Sequence, residues 1–285
     1  MSFLLVMKAE IVRSSIIMRR YWFRTLTGMI IGYGTLAGMI MAFMQKGGDA
    51  NVATRFTDVE TATNTTLGLI IGMLAFGIVG MFSNGLQQMA QNGQLEQLCM
   101  SPHGLITNFL ARASVGSVMS VFTSSIMLWA VAKTIGGTLH TDVASLVLLL
   151  ALTFTNLIGF GFMVGGLVLV FKQTGQVANI IRMALFALAV AATDKITTWP
   201  LFARLVAHVL PITDATICLK YVLVKGQMVN TVNAAGETVS QFSSVYLHPS
   251  FFLLVISCVT WTAIGVTLFR LMETWSRNKG TLGAY

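Results

Sequence analysis

Residues able to do chemistry are few in this chain, and they do not converge. The four histidines, His103, His140, His208 and His248, are dispersed and have no carboxylates at ligand spacing. A His-Glu-x-x-His run is absent, which excludes the common zinc-peptidase arrangement. No Gly-x-Ser-x-Gly elbow offers a nucleophile, and no glycine-rich phosphate loop ending in Lys-Ser or Lys-Thr could cradle a nucleotide. Cys99, Cys218 and Cys258 form no Cys-x-x-Cys pair and read as free thiols. Arg112, Arg182 and the pair Asp194-Lys195 fall at the edges of apolar runs, where long side chains can reach water. One polar segment has unusual character: Gly93-Gln-Leu-Glu-Gln-Leu-Cys-Met-Ser-Pro102. It carries no Lys or Arg, and Leu95, Leu98 and Met100 recur at near-helical spacing. A turn would suffice to join two apolar runs. This segment instead predicts a short amphipathic helix that a separate protein could hold.

The elements around it are apolar and long. The 285 residues are 55% hydrophobic and 10% charged, with a mean hydropathy of +0.77. Soluble domains carry roughly 25% charged residues, and apolar runs of about 20 residues read as membrane-spanning helices. Residues 25–45, 61–95, 113–132, 143–171 and 238–269 contain no Asp, Glu, Lys or Arg. They predict helices over 26–44, 66–90, 105–131, 143–171 and 250–271. The chain must return across the bilayer before the polar stretch 226–247, which places a sixth helix near 177–197. That one is short: the 11 uncharged residues between Arg182 and Asp194 cover about 16 Å of a core about 30 Å thick. Snorkelling of Arg182 and irregular backbone sheltered by protein would supply the remainder.

Charge asymmetry orients the chain. With six spans both ends share a side. That side holds eleven Lys and Arg against three acids, and the other holds seven against seven. Both termini are therefore expected in the cytoplasm of a cell with this chain in its plasma or inner membrane. The net charge of +8 and pI near 9.7 follow from this bias and give no sign of nucleic-acid binding. No cleavable signal peptide is evident, and the first apolar run reads as an uncleaved span.

Residues 1–25 precede that span. Met7, Ile11, Met18 and Trp22 form one helical stripe, while Lys8, Arg13, Arg19, Arg20 and Arg24 spread over the remaining surface. This predicts a helix in the membrane interface, in contact with lipid; a plain polybasic flank is the simpler alternative. Glycines repeat at Gly28, Gly32, Gly34 and Gly38, at Gly68 and Gly72, and at Gly159, Gly161, Gly165 and Gly166. Small residues let membrane helices approach closely, within one subunit or at a dimer seam. Pro200, Pro211 and Gly226 bracket two helix-length pieces, 201–210 and 212–225, too short to span and too apolar to float free. They are expected to dip into the outer leaflet. A polar external loop, 226–247, follows.

Three patches together resemble the type-2 permeases of ABC transporters, the six-span exporter subunits that work with a separate ATPase. Residues 93–102 are similar to that family's inner-loop pattern Gly-Thr-Leu-Glu-x-Leu-x-x-Ser-Pro, with Gln94 where Thr is usual. Leu210-Pro-Ile-Thr213, followed by Leu219-Lys220 and Gly226, resembles the Leu-Pro-Leu-Thr segment after the fifth span. The customary Phe-Pro ahead of it is absent near Lys195-Ile196. Phe269-Arg-Leu-Met-Glu273 and Arg277-Asn-Lys-Gly-Thr-Leu-Gly-Ala-Tyr285 are similar to endings in the drug-export branch.

The resemblance implies an all-α membrane protein with six transmembrane helices over 26–271 and a cytoplasmic tail, 272–285. It implies a coupling helix, about 92–103, in which Gln94, Leu95, Glu96, Gln97, Leu98 and Pro102 dock on the ATPase. Beside it would lie the interfacial helix with Arg13, Arg19, Arg20 and Trp22. Re-entrant outer helices, about 200–225, would form an outer gate with Asp194, Lys195, Pro200 and Pro211. Two ATPase copies and a second permease subunit, identical or not, are the implied partners. ATP and Mg would sit on the ATPase, so this chain itself would bind no cofactor and catalyse nothing. The cargo would be an amphiphile such as a drug, lipid or lipid-linked glycan. An ion-coupled carrier needs midplane carboxylates that the sequence does not display, and a membrane enzyme or scaffold lacks visible machinery.

Overall fold

The computed structural model describes residues 2–45, 59–99, 104–136, 139–140, 142–170, 175–193, 196, 198–232 and 238–279. Ten helices run α1 Ser2–Arg20, α2 Trp22–Gln45, α3 Val59–Gln91, α4 Gln94–Cys99, α5 Gly104–Ile135, α6 Val143–Val170, α7 Gly175–Ala191, α8 Leu201–Val209, α9 Thr213–Leu223 and α10 Pro249–Asn278 among the described residues. Four of them are long and apolar enough to cross a membrane: α3, α5, α6 and α10. The α8–α9 pair meets the same test only when the two halves are joined across a bend of 84°. The chain is thus compatible with a multi-pass membrane protein of four to five such helices.

The architecture is helical with one departure. Within the expected polar loop, β1 Met228–Val232 pairs antiparallel with β2 Thr238–Phe242, Met228 opposite Phe242 and Val232 opposite Thr238. β-Branched residues recur in both strands, which suits a pleated ribbon better than a free loop. The expectation of an all-α chain is corrected to that extent.

Helix α3 forms the centre. It packs on α7, α6 and α5, and 67% of its apolar window is buried, against 17% for α10. Glycines set these approaches. A Cβ on Gly68 would lie 2.7 Å from the Ala189 carbonyl oxygen, and one on Gly72 would lie 2.9 Å from the Phe186 ring, so α7 rests against α3 backbone to backbone. On the other side Gly161 and Gly165 receive Phe82 and Leu86 of α3. The closest approach joins α6 and α10, where a Cβ on Gly265 would collide with the Gly159 carbonyl. Phe82 and Phe162 meet edge to face at 4.8 Å, and Phe162 meets Phe269 at 5.2 Å. The glycine repeats of α3 and α6 are used for packing within the chain. In α2, Gly32 meets the Met127 methyl at 3.0 Å, while Gly28, Gly34 and Gly38 meet nothing within 4 Å.

Helix α7 has 17 residues, about 26 Å at 1.5 Å per residue. It stops six residues before the expected end at 197. Ala192 and Ile196 continue it as irregular backbone, buried with Ala207 and Ile217 and covered by Leu188 and Trp199. The shortness read from sequence is real, and Ala192 and Ile196 beyond its end pack against Ala207 of α8 and Ile217 of α9.

Candidate functional site

Three features stand out. The first is α4 with the turn that precedes it. Gly93, at φ +69°, ends α3 and reverses the chain into Gln94–Cys99. Only a residue without Cβ adopts this geometry at little cost. Leu95 is fully buried in the main core, and Leu98 packs partly against it. Gln94 and Gln97 are exposed. Glu96 falls within α4, and Pro102 lies outside the described residues. The expectation that Leu95 grips a partner is therefore corrected: an amphipathic six-residue helix turns its leucines inward because its own bundle is the nearest apolar surface. The outward face is the glutamine face.

The second feature is α1. Its Met7 side rests on α5, and Arg13 pairs with Glu10 at 3.1 Å. Arg19 and Arg20 are exposed, as is Trp22 at 60%. Ile11 and Met18 of the expected stripe are also exposed. A half-exposed apolar helix edge beside arginines is the surface that an interface of lipid and water would cover.

The third feature was only partly legible in sequence. Helices α8 and α9 meet at Leu210–Ile212, and the bend is tied down by polar groups from the long helices. Asn156 Nδ2 donates to the Pro211 carbonyl at 3.1 Å and to Ser257 Oγ at 3.0 Å. Trp261 Nε1 donates to the Val209 carbonyl at 2.9 Å. Asn156 is fully buried and sits midway along α6, so the bend reaches half the depth of that helix. Across the bend, His208 Nδ1 donates to Asp214 Oδ1 at 2.9 Å. Asp214 is 3% exposed, and its Oδ2 accepts no close hydrogen bond among the described residues, with the Ser250 hydroxyl nearby.

At the other end of α9, Lys220 is 5% exposed. Its Nζ donates to the Ala192 carbonyl at 2.6 Å, with those of Ala189 and Val190 at 3.4 and 3.5 Å. These are the last carbonyls of α7, which have no intrahelical partner. A cation there also meets the negative end of the helix dipole. Above it Tyr221 Oη donates to the Ser243 carbonyl at 2.7 Å. Gln227, at φ +62°, bridges Asp142 Oδ2 and the Val245 amide at 2.9 and 3.1 Å. A non-glycine residue in this region is strained, and the two hydrogen bonds hold it there. The Ser145 and Gln227 hydrogen bonds, in that order, hold the Asp142 carboxyl below the usual aspartate range.

Of the residues expected at an outer gate, Pro211 is at the bend and buried, and Pro200 caps α8 and is exposed. Asp194 and Lys195 lie outside the described residues. The sequence reading missed His208, Asp214, Asn156 and Lys220 as a set. The signal was present: a carboxylate and an ammonium inside the apolar stretch 212–225.

Arg182 departs from expectation too. It does not reach an interface. It is 6% exposed, donates from Nε to the Phe76 carbonyl at 3.0 Å and from Nη1 to Asn179 Oδ1 at 2.9 Å, and lies 3.7 Å over the Phe76 ring. Phe76 is the middle residue of the apolar stretch Thr61–Gln91. A Cβ on Gly80 would fall 2.5 Å from the guanidinium, so that glycine makes the room.

No family model matches the chain, and no curated protein matches it.

Proposed function

We propose that this chain is the membrane permease subunit of an ATP-driven exporter of the ABC type-2 class, which moves an amphiphilic substrate outward. The observation that supports this reading most is α4. A short helix with an exposed Gln94–Gln97 face projects between two long apolar helices, and its buried Leu95 locks it to the bundle. A push on such a helix passes to α3 and α5 without first deforming a loop. The bent pair α8–α9 would act as the cap of the path, and α2 and α7 would complete six spans, with both termini cytoplasmic. ATP and Mg would be held by a separate ATPase in two copies. The weakly buried α5 and α10 leave apolar surface for lipid or for a second permease subunit.

A second reading rests on the His208–Asp214 pair, whose carboxylate is buried and whose imidazole is half-buried. An ionisable pair at that depth is what a proton-coupled carrier requires. One experiment separates the two. Inside-out vesicles containing the chain are supplied with a fluorescent amphiphile from the medium, and a photo-cross-linker replaces Gln97. The export reading expects ATP-dependent, vanadate-sensitive accumulation that survives an uncoupler, with Gln97 cross-linked to a subunit carrying a phosphate loop. Accumulation abolished by the uncoupler and indifferent to ATP would establish the carrier instead.

A further inference from the structure

A cavity of about 820 Å³ opens between α5 and α6 and is floored by α3 and α9. Its origin is the packing already described. Helix α6 is drawn away by its glycine contacts with α10 and α3, while α5 is held to α3 lower down, where Phe109 lies 6.1 Å from Phe82. The two helices are consecutive in sequence yet scarcely touch. The crevice reaches the end of α5, where Lys133 and Gly136 line it.

The lining has one chemical character over most of its length. Leu74, Leu128, Leu150 and Leu219 supply the walls. Leu128 and Leu219 are themselves packed into the core, so the walls are preformed. Ser124 and Ser125 place hydroxyls partway along one side, and Lys133 with Trp129 stands at the connector end. Among the described residues, Lys133 is the only charged one that lines the cavity. From Val121 to Lys133 α5 advances about 18 Å, the length of an extended acyl chain. The volume lies within the roughly 300–1,000 Å³ of pockets that take one small ligand.

We infer that this crevice is a binding site for a single-chain anionic amphiphile. The tail lies along the leucines, and the anionic head pairs with Lys133 at the level where Trp129 marks the polar boundary. A tryptophan and a lysine at the same end of an apolar slot match the arrangement that anchors groups at a membrane interface. A two-tailed phospholipid would leave one chain outside the slot. The site needs only the bilayer setting of the long helices. It does not rest on how transport is powered, and its occupancy is read on the chain alone.

The test uses the full chain in nanodiscs and palmitic acid bearing a diazirine at the tail end as the probe. Photolysis followed by peptide mapping is expected to label α3 and α5 around Leu74 and Val121, and oleate is expected to compete. Lys133→Glu should weaken apparent affinity at least tenfold, while Lys225→Glu, at the same end but outside the cavity, leaves it unchanged. Leu150→Trp and Ser125→Trp should each block labelling by filling the slot. Ser125 is exposed, so the second variant is readable even where the first disturbs folding. Label spread over α10 and α7, or undiminished in Ser125→Trp, would overturn the site. Equal binding of the corresponding uncharged alcohol would overturn the role of Lys133. Competition by a two-chain anionic phospholipid as effective as oleate would overturn the single-chain assignment.

Discussion

Lys220 Nζ lies 2.6 Å from the carbonyl oxygen of Ala192, a contact that joins α9 to the end of α7 across 28 residues of sequence. It explains how a helix too short for a bilayer can end inside protein. Carbonyls that water would otherwise have to reach are satisfied by a buried ammonium. The same ammonium rests on Gly68, where a Cβ would come within 3.0 Å of it.

Lys220→Met is expected to leave those carbonyls without a donor and to lower stability by about 1–3 kcal/mol, the cost of an unsatisfied buried polar group. Gly68→Ala should act on the same contact, and the double variant should cost less than the two single effects added. Thermal unfolding in detergent measures all three. Full additivity would show that the sites are independent.

Asn156→Ala removes one of the two side-chain ties on the α8–α9 bend, the hydrogen bond to the Pro211 carbonyl. Native Cys218, fully buried on α9, reports the consequence. With Cys99 and Cys258 replaced by serine, maleimide labelling of Cys218 is expected to accelerate several-fold in the variant. An unchanged rate would mean that Trp261 alone secures the bend.

Gly265→Ala should be among the most damaging small substitutions. The new methyl would occupy the position of the Gly159 backbone, and neither helix can yield without losing its neighbour. Overpacking of this kind costs typically 1–3 kcal/mol and occasionally more. Loss of monodisperse protein in size exclusion is the expected readout, with Gly28→Ala, which meets open space, as the tolerated control.

The Asp142 carboxyl is held below its ordinary range, so its contribution to stability is present above about pH 4, the unfolded value, and is lost as pH falls through the lower folded value. Asp142→Asn should therefore lower the unfolding temperature at pH 7 and do so less at pH 3, because the wild-type advantage shrinks as pH falls below the unfolded value toward the lower folded one. A deficit of equal size at both values would contradict the assignment.

On α4, Leu95→Ala should cost about 2–5 kcal/mol as a buried leucine truncation, whereas Gln97→Ala should stay within about 0.5 kcal/mol. Stimulation of a co-expressed ATPase is expected to fall in Gln97→Ala at unchanged stability. A pattern in which only Leu95→Ala matters would leave α4 a structural turn.

Much of the outline was legible in sequence because hydrophobic periodicity and charge are local quantities. The apolar windows located α3, α5, α6 and α10 to within a few residues, except that α3 begins at Val59, seven residues before its expected start, and α10 runs to Asn278, seven residues past its expected end. Proline and glycine placed α8 and α9, since both residues restrict the backbone wherever they stand. The short helix after Gly93 was likewise readable. What failed was direction. Leu95 has the composition of a docking residue and the position of a core residue, and no local pattern distinguishes the two.

Charged residues inside apolar stretches behaved the same way. Arg182 was expected at an interface because a lone arginine near a helix end can snorkel, yet Phe76 and Gly80 of a distant helix provide a place for it. His208 and Asp214 fall in separate expected helices, 201–210 and 212–225, and only the bend brings them within 2.9 Å.

The sequence by itself determined that this chain has helices apolar enough to cross a membrane, roughly where they lie, and that no phosphate loop occurs within it, because each follows from the residues within one stretch. The tertiary structure alone decided which carbonyls Lys220 satisfies, which face of α4 is free, and that α5 and α6 part to leave a lysine-tipped crevice. Those depend on how closely glycines let separate helices approach, a property of pairs of helices that no single stretch contains.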